Sequence, residues 1–155
     1  MATCPTRSGL AEGSRRSALA WSKRFGSASG DGSQGIATDA FNNILVVGSS
    51  VGAVDFGGGP LPNAGEDDIF VAKLDAEGNH VWSKTFGDGA DQYALDVATD
   101  PQGCVIVNGI FRATLDFGGT PLVNAGDDDT YVVKLGIDGE HLWSRAFGDS
   151  ERQSG

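Results

Sequence analysis

The chain has 155 residues, of which 11 are Lys or Arg, 21 are Asp or Glu and 24 are Gly, for a formal net charge of -10. That length suits one domain with a modest core, and the acidity excludes a nucleic-acid partner. No apolar run reaches the roughly 18 residues of a membrane span, and two cysteines, Cys4 and Cys104, cannot build a disulfide scaffold.

The basic residues open the chain. Arg7, Arg15, Arg16, Lys23 and Arg24 stand against a single acid, Glu12, whereas residues 25–155 carry 6 basic and 20 acidic side chains, a net of -14. Residues 1–18 are rich in Ser, Gly, Thr and Arg and lack the apolar stretch of a secretory signal. They are read as a disordered basic leader.

A gapless repeat of 61 residues follows. The three tryptophans, Trp21, Trp82 and Trp143, are 61 apart, and residues 21–81 match 82–142 at 26 of 61 positions. Leu19–Phe25 is an outer strand without a blade of its own, and it carries WSKRF, which returns as WSKTF at Trp82–Phe86 and WSRAF at Trp143–Phe147. Each unit is then expected to hold four strands. The first lies near Gly35–Asp39 (Leu95–Thr99 in the second unit), and the next at Asn43–Ser49 (Cys104–Ile110) is nearly continuous in apolar residues. The third is Asp68–Leu74 (Asp129–Leu135). Alternation there puts Phe70, Ala72 and Leu74 on one face and Ile69, Val71 and Lys73 on the other. The fourth is His80–Phe86 (His141–Phe147), with Trp82 and Phe86 on one face. Turn residues punctuate the units at Phe41-Asn42-Asn43, Glu77-Gly78-Asn79, Pro101-Gln102-Gly103 and Asp138-Gly139. No segment shows a 3.6-residue period, so helix is not expected.

Tandem four-stranded meanders of this length are the sequence pattern of β-propeller blades. Asp68–Gly87, DIFVAKLDAEGNHVWSKTFG, with Ala94–Gly109, ALDVATDPQGCVIVNG, resembles the bacterial SBBP-type β-propeller repeat. The insert DFGGGPL at Asp55–Leu61 is similar to the version abundant in surface proteins and lipoproteins of myxobacteria. The resemblance spans about residues 19–150. It implies an all-β propeller of antiparallel blades and an extracellular or cell-surface setting, and it assigns no activity.

The expected architecture is therefore an orphan strand at 19–25 and two complete blades at about 26–86 and 87–147. A closed ring needs at least four blades, about 244 residues at this period. The propeller is open unless copies assemble through the exposed blade faces or the repeat continues in a longer chain.

The acidic loops are the candidate site. Glu66-Asp67-Asp68 and Asp127-Asp128-Asp129 are repeat-equivalent, and Asp88 and Asp91 follow the fourth strand. Loops after the second and fourth strands leave a blade at the same end, so these carboxylates are expected on one face. Asp67, Asp68, Asp88, Asp91, Asp128 and Asp129 form the candidate Ca²⁺ set, against a reading as solvated turn aspartates. No D-x-[DN]-x-[DN]-G loop supports the cation, and no other cofactor is indicated. His80 and His141 recur once per unit, which marks them as structural. Trp82, Phe86, Trp143 and Phe147 read as packing between blades, and Cys104 as a small apolar filler of a buried strand.

Function is sought in departures from the repeat. Gly32→Tyr93, Asn43→Cys104 and Val51→Arg112 are the notable differences between equivalent positions, and Arg112 is the candidate contact to a partner. No nucleophile, base and orienting acid form a set. The expectation is a non-catalytic scaffold with a protein or glycan partner. The alternatives are a Ca²⁺- or glycan-binding propeller and a fragment of a propeller enzyme, since Leu74–Trp82 is similar to blade ends of quinoprotein-like dehydrogenases.

Overall fold

The computed structural model describes residues 20–149, and the expected leader lies outside them. Ten strands run in chain order: β1 Asp31–Thr38, β2 Ile44–Ser50, β3 Asp68–Leu74, β4 His80–Phe86, β5 Gln92–Thr99, β6 Val105–Phe111, β7 Thr114–Leu115, β8 Leu122–Val123, β9 Asp129–Leu135 and β10 His141–Phe147. There is no helix among the described residues, and so none long and apolar enough to cross a membrane. Two antiparallel four-stranded sheets result, β1-β2-β3-β4 and β5-β6-β9-β10. The third and fourth strands of each unit have the bounds read from the sequence. The first strands begin earlier than expected. In the second unit an unforeseen two-stranded ribbon, β7-β8, forms inside the Gly-rich loop.

Turn chemistry fixes the meander. Each β1–β2-type turn is closed by the aspartate of the ATD triplet: Asp39 accepts from the Phe41 and Asn43 amides, and Asp100 from those of Gln102 and Cys104. The third residue after it must turn left-handed, with φ of 63° at Asn42 and 86° at Gly103. Asn and Gly are the residues that tolerate this conformation best.

The sheets stack face to face. Leu45, Val47, Ile69 and Val71 of the first join Val105, Val107, Phe111, Tyr131, Val133 and Leu135 of the second in one buried cluster, against which Trp82 and Phe86 pack. The other face of the first sheet packs Val54, Phe56, Phe70 and Ala72 with Phe25, Val46 and Leu61. So β3 is buried along its whole length, with alternate residues serving different neighbours as the alternation predicts. Burial of apolar surface at roughly 25 cal/mol per Å² makes this inter-sheet layer stabilising.

Two expectations need correction. Residues 20–25 form no strand; only Gly26 makes a bridge, to Asp55. A strand needs a ladder partner, and the segment is held by side chains instead. Cys104 lies half-buried in the turn before β6, outside the strand expected to bury it.

Candidate functional site

Two repeated arrangements account for most of the conspicuous side chains. The first joins consecutive units. Trp82 Nε1 donates to Ile137 O at 2.9 Å and Lys84 Nζ to Gly139 O at 2.7 Å, so the outer strand of one unit grips the last turn of the next. One repeat earlier, Trp21 Nε1 donates to Ala76 O at 3.0 Å and Lys23 Nζ to Gly78 O at 2.7 Å. Phe25 stacks on Phe56 at 5.3 Å as Phe86 does on Phe117 at 4.9 Å. The second arrangement is the histidine. His80 and His141 bond Ser83 and Ser144 through Nε2 at 2.9 and 3.0 Å. Each imidazole lies against a glycine, Gly58 or Gly119, where any Cβ would run into the ring. Both histidines hold the loop of their own blade.

The acidic loops do meet at one end of the molecule. The Gln92 amide donates to Asp67 O, the Arg112 amide to Asp91 O, and the Thr114 amide to Asp88 Oδ2. This brings the loops after β2, β4 and β6 together. The carboxylates nevertheless do different work. Asp68 and Asp129 are buried and cap their loops, accepting from the Ala64 and Ala125 amides at 2.5 and 2.7 Å. Burial pushes the Asp68 carboxyl above the usual range, against the Ala64 N–H and with help from the charges of Asp88 and Asp67. The second oxygen of each has no hydrogen-bond partner and abuts Gly87 or Gly148. Asp88 accepts from Gln92 Nε2 and the Ala90 amide. Among the described residues no group of three or more His, Cys, Asp or Glu is placed to hold a metal ion.

Arg112 occupies the middle of this face. Its Nε donates to Asp128 at 2.6 Å and its Nη1 to Asp91 at 2.9 Å, with 47% of the side chain exposed. The bond to Asp128 and the charges of Asp128 and Asp91 hold the guanidinium above its ordinary pKa. Beside it, Tyr93 donates its hydroxyl to Asp67 at 3.1 Å. Burial and that acceptor push the phenol up to about 12. Three of these residues break the repeat: Asp91, Tyr93 and Arg112 stand where the first unit has Gly30, Gly32 and Val51. Sequence comparison singled out Arg112 and Tyr93. It did not single out Asp91 as a departure, although the Gly30→Asp91 difference was there to be read.

Four-stranded antiparallel meanders at a fixed period, stacked face to face and locked outer strand to next turn, define a β-propeller repeat protein, with two blades among the described residues. The SBBP β-propeller repeat family model matches residues 20–54, from the Trp21 segment through β2. An uncharacterized WD repeat-containing protein of Acanthamoeba polyphaga mimivirus is 32% identical over 131 residues, covering 74% of this chain. The chain spans 9% of that relative's length.

Proposed function

We propose that the chain is a non-catalytic interaction module whose partner, a protein or a glycan, docks on the loop face centred on Arg112. The observation that carries this reading is the convergence of Asp91, Tyr93 and Arg112, which are unique to one unit yet meet in space. Recurrent side chains such as His80 and Asp68 are committed to their own blade. A residue that departs from the repeat is not required by the blade framework that both units share. The β-propeller match supports a scaffold by analogy of fold alone. A setting on a bacterial cell surface rests on the resemblance of Asp68–Gly87 and Ala94–Gly109.

The test is affinity capture by purified chain beside Arg112→Glu, with circular dichroism confirming equal folding. Partners retained by the first and lost by the second support the reading, and partners indifferent to Arg112 sink it. A cation at the same face is tested separately by melting with and without millimolar Ca²⁺. Binding to the folded state alone raises the midpoint, and an unchanged midpoint disposes of the cation.

A further inference from the structure

The Trp–Lys grip occurs at Trp21-Lys23 and at Trp82-Lys84, and in both cases two donors reach the carbonyls of a β-turn one unit on. The third set, Trp143 and Arg145, projects from β10 with no described turn to grip. Trp143 and Phe147 are 42% and 54% exposed, and with Val132 and Arg145 they line an open hollow of about 610 Å³. Lys134 stands on the same sheet in the register of Lys73, whose Nζ in the covered unit also reaches toward Ile137 O, at 3.4 Å. The exposed face of the second unit thus carries the donors and the apolar residues that the first unit uses to hold its neighbour.

The matching acceptor is present in the same chain. The turn at Asp75–Asn79 offers Ala76 O and Gly78 O, the repeat counterparts of Ile137 O and Gly139 O. It is acidic, with Asp75 and Glu77, and Arg145 gives the searching face the opposite charge, Lys134 being paired with Asp100 at 2.7 Å. Opposite charges of this kind set register and suppress wrong partners. The present occupant of the turn is the segment 21–25, which has side-chain contacts but no strand ladder.

We propose that the open face of the second unit binds the Asp75–Asn79 turn of a second copy of the chain, replacing that copy's own residues 21–25. Trp143 takes the place of Trp21, Arg145 that of Lys23, and Phe147 that of Phe25 against Phe56. The incoming sheet also brings Val132 and Lys134 on a rigid surface, which the single segment lacks. Donor face and acceptor turn are different patches, so the contact is head-to-tail and terminates only in a ring. Residues 21–25 are then an intramolecular plug that competes with assembly and weakens its apparent affinity.

The test is sedimentation equilibrium of the full chain over a wide concentration range. Trp21→Ala with Lys23→Glu opens the turn, and association should tighten on the order of tenfold or more. Adding Trp143→Ala and Arg145→Glu to that background should return the chain to monomer. Lys23→Glu alone, at an exposed position, serves if the double change disturbs folding. An opened chain that stays monomeric at every concentration overturns the proposal. So does an assembly that ignores Trp143 and Arg145.

Discussion

The same ion pair occurs twice in this chain with opposite fates. Lys73 and Asp39 meet at 2.9 Å with side chains 2% and 0% exposed. Their counterparts Lys134 and Asp100 meet at 2.7 Å at 25% and 14%. The residues, the register and the turn are alike, and what differs is the neighbour. A second sheet lies over Lys73, and no described sheet lies over Lys134. Burial in a repeat protein is therefore a property of position in the stack as much as of sequence.

The largest effect that would break this comparison is expected at Lys73. Lys73→Ala leaves Asp39 charged and enclosed, although Asn43 and the Phe41 amide still donate to it. Removing one member of a buried pair costs about 3–5 kcal/mol. Lys134→Ala should leave the denaturation midpoint nearly unchanged. The joint change Lys73→Met with Asp39→Asn should recover most of the loss, because apolar or neutral replacement of a buried pair is often tolerated. Equal sensitivity at Lys73 and Lys134 in urea titrations of the monomer would remove the distinction.

Acid should act on the same contrast. Burial by itself would raise the Asp39 carboxyl, but Asn43, Lys73 and the Phe41 amide outweigh it and hold the group below 3.8. A depressed folded pKa gives stability that is present above the unfolded value and lost as pH falls through the folded one. Asp68 runs the other way. Its raised carboxyl opposes folding when ionised, and that penalty is relieved as pH falls through the folded value toward 3.8.

Tryptophan gives the next step down. Trp82→Ala removes half-buried packing and the bond to Ile137 O, for roughly 2–3 kcal/mol, below the range of a fully buried aromatic. Trp143→Ala should cost the monomer little, and any larger cost at high concentration would report the assembled form. Thermal melts at two protein concentrations separate these outcomes.

Much of this contrast was legible in the sequence and part was not. The 61-residue period fixes which residues share a role, so β3, β4, β9 and β10 and the two faces of β3 follow from pattern alone. The period is silent on which copy of a role is covered, because Trp82 and Trp143 are the same letter in the same motif. It also led to a strand at 19–25, since a motif that forms β4 and β10 was assumed to form a strand without the ladder that makes it one. The loop face was legible as a cluster of acids. Its centre was less so, because Arg112, Asp91 and Tyr93 come from three separate positions that only the stacked sheets bring together.

Asp68 gives a smaller expected effect. Its Oδ1 has no partner and borders Gly87 alongside the Gln92 Oε1 acceptor. Asp68→Asn replaces a buried unpaired charge by an amide that still accepts from Ala64 and sets a donor near Gln92. Stability at neutral pH should rise by about 1 kcal/mol, and the gain should shrink as pH falls toward 4. A loss that is constant with pH would show that the carboxylate is satisfied.

The smallest effect is expected at Ala113, where the loops after β2 and β6 part company. Ala113 has φ of 58°, the left-handed region, at the position that Gly52 holds in the first unit. Its carbonyl accepts from Asn124 at 2.9 Å and Thr114 follows it into β7, so the turn is held by its surroundings rather than by its own preference. A residue with a Cβ bears about 1–2 kcal/mol in this conformation. Ala113→Gly removes that cost but adds unfolded-chain entropy of about 0.4–1 kcal/mol. The net should be a small gain, roughly 0–1.6 kcal/mol from these ranges and centred below 1, read as a shift of the urea midpoint at constant slope. Partner retention through Arg112 should fall at the same time, because the neighbouring backbone that aims Arg112 becomes freer. A gain in stability with undiminished retention would show that Asp91 and Asp128 alone position the guanidinium.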